Sequence, residues 1–324
     1  MTTIDNSFII NHSCLRVKDP KVSIPFYENN FGMKCIRRLH FDGFSLYLLG
    51  FETEANKDKS WGAREGVLEL CHNHGSEDDD SFKVNNGNGT ENRGFGHICV
   101  SVDNIQVCEA NLLANGAKFQ KKLSDGRQKD IAFVLDPDGY WVELVEHQRN
   151  KTEAKTDLST YKFNHTMIRV KDAKKSLDFY KNKFGMKLLS TFDFPDARFT
   201  LFFLGYDHAN NHEENSIDKK VRHFQESLLE LTYNYGTEED TDFHYHNGNS
   251  TDNGAIQGYG HIGVSCKDPA TFCKQLEDKY GDELDWSVQW GKGSLTPNLA
   301  FIRDPDGYSV EIIPLDIFSD DSKL

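Results

Sequence analysis

The sequence predicts an α+β fold of four βαβββ units, paired into two tandem domains. Three observations carry that prediction. The stretch Asn11-His-Ser-Cys-Leu-Arg-Val-Lys-Asp19 returns as Asn164-His-Thr-Met-Ile-Arg-Val-Lys-Asp172, offset by 153 residues and identical at six of nine positions. Phe-Gly-Met-Lys follows each copy at the same spacing, as Phe31–Lys34 and Phe184–Lys187. Asp-Pro-Asp-Gly-Tyr recurs near the end of each half, as Asp136–Tyr140 and Asp304–Tyr308. A repeat of this length is a domain, and a chain of 324 residues holds two, each large enough for its own core.

The elements follow in order. Each copy of the opening stretch carries β-branched and apolar residues and is bounded by a charged turn, which reads as a strand. Residues two apart share a strand face, so His12, Cys14 and Arg16 lie on one side, as do His165, Met167 and Arg169. Pro20–Phe31 and Lys175–Phe184 have helical apolar spacing, each stopped by glycine. Strand pairs follow at Cys35–Phe41 with Ser45–Leu49, and at Leu188–Phe194 with Phe199–Leu204. Polar segments, 52–64 and 207–225, read as loops. Strands Gly66–Asn73 and Ser227–Asn234 then close the first and third units. Polar linkers rich in Gly, Asn and Asp lead to Arg93-Gly-Phe-Gly-His-Ile-Cys-Val100 and Gln257-Gly-Tyr-Gly-His-Ile-Gly-Val264. A helix follows each (Asn104–Asn115; Pro269–Tyr280), then two strands joined by Asp-Pro-Asp-Gly, a strong turn signal. The expected domains are 1–150 (units 8–75 and 93–147) and 161–324 (units 161–235 and 257–314), joined by a polar linker, 151–160. Residues from 317 on read as a loose tail.

A formal charge of −14 argues against nucleic acid or an anionic membrane as a general partner. No apolar run is long enough to span a bilayer, and Met-Thr-Thr-Ile-Asp-Asn does not begin a signal segment. Seven cysteines, an odd number without Cys-x-x-Cys spacing, read as reduced thiols in a cytoplasmic protein. In that compartment the Asn-x-Ser/Thr sites at Asn11, Asn88, Asn150, Asn164 and Asn249 are expected to be idle. Gly94-Phe-Gly lacks the strand-to-helix context of a dinucleotide loop.

Each unit sets one histidine and one glutamate into apolar strands: His12 and Glu69, His97 and Glu143, His165 and Glu230, His261 and Glu311. A glutamate between apolar neighbours is costly to bury unless paired or metal-bound. One could face outward; four, each with a histidine opening its unit, point to metal. Two imidazoles and two carboxylates neutralise a divalent cation and suit zinc, with nickel, cobalt and iron as alternatives. Eight such residues make two sites of four. A metal there could polarise a carbonyl, and a glutamate could serve as base.

Taken together, Arg-Val-Lys-Asp, Phe-Gly-Met-Lys, Leu-Glu-Leu-Thr, His-Asn-Gly-Asn, Gly-Tyr-Gly-His-Ile and Asp-Pro-Asp-Gly-Tyr-Trp-Val-Glu resemble the glyoxalase I (lactoylglutathione lyase) family, in its fused fungal form, across residues 8 to 314. The resemblance implies the vicinal oxygen chelate fold. It implies isomerisation of the methylglyoxal–glutathione hemithioacetal to S-lactoylglutathione, by metal-assisted proton transfer through an enediolate. Another metal enzyme of the same fold is the alternative; a metal-free binding module is opposed by the intact histidine and glutamate sets.

The resemblance also implies how the units combine. One site takes His12 and Glu69 with His261 and Glu311; the other takes His97 and Glu143 with His165 and Glu230. Each holds one divalent metal, zinc foremost and nickel or cobalt otherwise, inside a monomer. Glu143 and Glu311 are the expected bases. Arg16 and Asn73, and Arg169 and Asn234, are expected to contact glutathione, joined at the second site by Arg93, Lys121 and Arg127. Gln257 replaces that arginine at the first site, so the first is expected to bind substrate more weakly.

Overall fold

The structure, a computed structural model, describes residues 4–147 and 155–318. Among the described residues there are sixteen strands and five α-helices, in four units of one order. The first is β1 (Ile9–Val17), α1 (Pro20–Phe31), β2 (Lys34–Phe41), β3 (Phe44–Gly50) and β4 (Val67–Asn73). The second is β5 (Phe95–Val102), α2 (Ile105–Ala114), β6 (Lys118–Lys121), β7 (Ala132–Leu135) and β8 (Trp141–Glu146). The third is β9 (Lys162–Val170), α3 (Ala173–Asp178), β10 (Lys187–Phe194), β11 (Phe199–Gly205), α4 (Lys219–Phe224) and β12 (Leu228–Asn234). The fourth is β13 (Tyr259–Cys266), α5 (Pro269–Tyr280), β14 (Asp285–Val288), β15 (Ala300–Arg303) and β16 (Ser309–Pro314).

Local chemistry explains the helix ends. Asp19 caps α1 by accepting from the Lys21 N–H; Pro20 follows at a position needing no donor, and Gly32 ends the helix at φ 75°. Asp172 caps α3 in the same way. Where the sequence predicts one helix to Phe184, α3 stops at Asp178 and a π turn covers Phe179–Lys183. The 207–225 segment is not all loop, because α4 forms within it and buries Arg222 and His223. Strands β6 and β14, four residues each at sheet edges, had no apolar signal.

The units combine crosswise. One sheet runs β14-β15-β16-β13-β1-β4-β3-β2 and joins the fourth unit to the first. The other runs β10-β11-β12-β9-β5-β8-β7-β6 and joins the third to the second. The seams are antiparallel, β1 with β13 and β5 with β9. Both seams carry β-bulges, and Asn11 and Asn164 sit at them.

A second set of contacts holds units of the same half together. The Tyr27 hydroxyl donates to Asp136, and that of Tyr180 to Asp304, tying α1 and the π turn after α3 to the Asp-Pro-Asp-Gly turns. The two seams meet through Ser13 and Thr166, whose hydroxyls are 2.6 Å apart, and through the stacked rings of Phe95 and Tyr259. The core, from Phe8 to Ile312, is continuous across both sheets.

The expected linker lies partly outside the described residues; of the described part, Thr156 and Asp157 hydrogen-bond Asp103. The expected loose tail begins too early, since Ile317 is buried against Trp61 and Leu299. Residues 319–324 lie outside the described residues.

Candidate metal centres

Strand alternation and register deliver the four residues of each centre. In the second, His165 and Met167 of β9 share a face, and Glu230 of β12 stands opposite Met167. His97 of β5 pairs with Met167, and Glu143 of β8 with Cys99. His165 Nε2 lies 3.0 Å from carboxylate oxygens of both Glu143 and Glu230; His97 Nε2 lies 3.4 and 3.9 Å from them. The two Nε2 atoms are 3.2 Å apart. All four side chains are buried, and their ligand atoms fall within 4.8 Å of one another.

That arrangement fits a cation. Donors about 2.1 Å from one ion are roughly 3.0–3.4 Å apart in octahedral or tetrahedral geometry, close to most of these separations. Two neutral imidazoles and two carboxylates also balance a divalent charge.

The first centre repeats the plan with a looser fit. His12 Nε2 is 3.2 Å from Glu311 and 2.9 Å from His261 Nε2. Glu69 stays 3.9 Å from His12 and 3.7 Å from His261. His12, His261 and Glu311 form one close group, while Glu69 belongs to another with Cys14 and His261. The thiol of Cys14 hydrogen-bonds Glu69 and replaces Met167 of the other centre. Gly263 makes room for His12: a Cβ there would come within 2.1 Å of the imidazole.

Electrostatics follow the same difference. Burial pushes the Glu143 carboxyl up, but His97 and His165 outweigh it and hold it well below the usual range. Burial presses the His165 imidazole down; its hydrogen bonds to Glu143 and Glu230 bring it up to about 9. Glu311 is likewise lowered against burial by His12 and His261. Glu69, farther from both rings, is raised by burial and by Glu311. His261 is brought down to about 3 by burial, with His12 and Arg16 adding to it.

Two asparagines orient histidines, and the sequence reading passed over them. The Asn11 amide donates to the carbonyls of Trp61 and Arg64, so its oxygen faces His12 Nδ1 at 2.6 Å and must accept. Asn164 donates to the carbonyls of Arg222 and Gln225 and accepts from His165 Nδ1 at 2.7 Å. With one proton held on Nδ1, it is the Nε2 proton, shared with the carboxylates, that a cation would displace to meet a lone pair turned into the centre. Adjacent strand residues normally point to opposite faces; the bulges allow this contact. The signal was the asparagine before each histidine, read as an idle glycosylation site.

The arginines are heavily engaged. Arg169 donates to the carbonyls of Gly87, Gly94 and Phe95 and to Asn88 Oδ1. Arg16 donates to the carbonyls of Gly258 and Tyr259 and to Asn249 Oδ1. Asn88 and Asn249, also read as idle, thus brace these arginines from the neighbouring unit. Burial, with Arg93 nearby, brings Arg169 down to about 10. Arg93 is exposed; Asn234 donates to the Tyr245 hydroxyl, and Asn73 is exposed. Lys121 donates to the carbonyls of Gln128 and Ile131 in its own loop, where Arg127 is exposed.

Comparison with known proteins agrees with this architecture. The sequence matches the Glyoxalase/Bleomycin resistance protein/Dioxygenase superfamily twice, over residues 9–144 and 162–312. It is 48% identical to "Glyoxalase I" of Saccharomyces cerevisiae, over 96% of this chain and 93% of that protein. It is 42% identical to "Lactoylglutathione lyase" of Schizosaccharomyces pombe, over 96% of this chain and 98% of that protein. The crystal structure of glyoxalase I from Zea mays superposes with a TM-score of 0.69 at 26% identity, covering 97% of this chain and 94% of that one.

Proposed function

The chain belongs to the glyoxalase/bleomycin resistance protein/dioxygenase superfamily, and from that premise we propose that it is a lactoylglutathione lyase working through two centres. It isomerises the hemithioacetal of methylglyoxal and glutathione to S-lactoylglutathione. The observation that carries the reading is the closed set of His97, Glu143, His165 and Glu230, four buried donors around one point.

A divalent ion, zinc foremost with nickel or cobalt as alternatives, would be held by those four residues and, at the first centre, by His12, Glu69, His261 and Glu311. When bound it supplies Lewis-acid stabilisation of the negative charge that develops on the substrate oxygens. The chain's own residues do the rest. Glu143, or Glu311 at the first centre, takes the proton from the carbon bearing sulfur and hydroxyl. The same carboxylic acid returns a proton to the neighbouring carbon, and the hydroxyl proton passes to that carbon's oxygen, which leaves a thioester beside a new hydroxyl. Glu230 and Glu69 stand opposite as second carboxylates. Asn164 and Asn11 hold the histidine tautomers, and the apolar strands around the glutamates keep bulk water from the transfer.

Glutathione is anionic, and on a chain of charge −14 its binding leans on local cations. Arg169 and Arg93, with Asn234, are the candidates at the second centre, and Arg16 and Asn73 at the first. Lys121 and Arg127 lie in the loop that would meet the tripeptide. Each centre is complete within one chain, so a monomer suffices. Seven free cysteines suit the cytoplasm. Among the described residues no helix is long and apolar enough to cross a membrane.

The experiment is direct. Purified protein with methylglyoxal and glutathione should form the thioester, followed by its absorbance, and a chelator should stop it. Absence of thioester formation by metal-loaded protein would refute the reading.

A further inference from the structure

The loops before the glutamate strands differ at one matched position. The Asn11 amide reaches the Trp61 carbonyl, and the Asn164 amide reaches that of Arg222, so these two residues are equivalent. Their surroundings correspond as well. Leu48 pairs with Glu69 across β3 and β4 where Phe203 pairs with Glu230 across β11 and β12.

At the first centre the Trp61 ring lies 5.9 Å from that of His12, packed with Leu39, Leu48 and Val67. That wall is aromatic; its indole Nε1 is also buried without a partner, but it carries no charge. At the second centre the Arg222 guanidinium lies 3.8 Å from the centre of the Phe203 ring and 4.4 Å from that of Phe192. Phe203 in turn lies 5.4 Å from the His165 ring.

Arg222 is 8% exposed, and its Nε and Nη1 are buried with no hydrogen-bond partner. Stacking on two phenyl rings offsets part of the cost of burial but satisfies no N–H. Glu230 and Glu143 supply the nearest negative field. Once a divalent ion neutralises those carboxylates, the arginine charge has no counterpart. The second centre therefore asks for an anion that the first, with Trp61, does not.

We propose that the two centres divide the substrates: the second favours hemithioacetals of α-oxoaldehydes that carry a carboxylate, received by Arg222, and the first favours those with apolar or aromatic groups, packed on Trp61. This rests on the lyase reading above.

The test uses full-length protein with one centre left active, by Glu311→Gln or by Glu143→Gln. Each is assayed with glutathione hemithioacetals of methylglyoxal, of phenylglyoxal and of an α-oxoaldehyde bearing a carboxylate two methylenes away. The readout is kcat/KM relative to methylglyoxal. For the carboxylate substrate this ratio should be at least about tenfold higher in the Glu311→Gln protein, the order expected of one charge-assisted hydrogen bond. Adding Arg222→Met should remove the advantage, and Arg222→Lys should keep part of it. The phenylglyoxal ratio should favour the Glu143→Gln protein. Equal ratios at the two centres, or a ratio indifferent to Arg222→Met, would overturn the proposal while leaving the lyase reading intact. If Arg222→Met fails to fold, the two single-centre proteins decide, since neither alters the loop. Failure of both to turn over methylglyoxal would overturn this proposal, and failure of the unsubstituted, metal-loaded protein would overturn the lyase reading with it.

Discussion

The carboxamide oxygen of Asn164 lies 2.7 Å from Nδ1 of His165, the residue that follows it, and Asn11 repeats the contact with His12 at 2.6 Å. The contact fixes which imidazole nitrogen carries the proton. Asn164→Ala should free the ring and weaken metal binding at the second centre by about 10- to 100-fold, as other outer contacts to ligating histidines do. Competition with a coloured chelator measures this. Unchanged affinity would mean that strand packing alone orients His165.

Metal should leave the first centre before the second. Glu69 stands apart from the group formed by His12, His261 and Glu311, whereas all four donors of the second centre fall within 4.8 Å. Chelator titration, read on the two single-centre proteins, should abolish the Glu143→Gln protein's activity at the lower concentration. Zinc, cobalt or nickel should restore both. Full activity in protein shown to be metal-free would contradict the account.

Acid should destabilise the fold through His223. Burial, with Arg222 alongside, brings its imidazole down to about 4, and its Nε2 is buried without a partner. The unfolded chain then binds more protons than the folded one between about pH 6.5 and 4. Stability from this group is complete above the upper limit and is lost as pH falls through the window, by roughly 3 kcal/mol at most. His223→Gln should flatten the pH dependence of urea midpoints there. An unchanged slope would show that other groups set it.

Much of this was legible in the chain. The repeat gave four units, and the histidine and glutamate in each unit gave the eight residues that the structure gathers at two places, because burying a carboxylate in an apolar strand needs a strong reason. What was not legible came from geometry that spacing does not encode. Asn11 and Asn164 reach their histidines only because a bulge breaks strand alternation. Asn88 and Asn249 act on arginines in a different unit. Arg222 was read as loop because its segment lacks an apolar stripe, yet α4 packs it onto aromatic rings. The first aspartate of Asp-Pro-Asp-Gly, read only as turn chemistry, receives a buried tyrosine.

The first centre should bind the methylglyoxal hemithioacetal more weakly. Arg16 and Arg169 spend similar numbers of donors on the protein, and Lys121 is tied to its own loop. The remaining difference is Arg93, exposed near Arg169, where the first centre has Gln257 donating to the Asn249 carbonyl. One charge-assisted contact is worth about tenfold. KM in the Glu143→Gln protein should exceed that in the Glu311→Gln protein by about that factor; equal values, or a lower one, would refute the difference.

Two independent centres, each assembled crosswise from two units, are the centre of the account. Turnover of the methylglyoxal hemithioacetal by Glu143→Gln, Glu311→Gln and the double variant tests it most directly. Each single variant should keep the activity of its intact centre, and the double variant should be nearly inactive. Loss of all turnover in either single variant, or substantial turnover in the double, would contradict it.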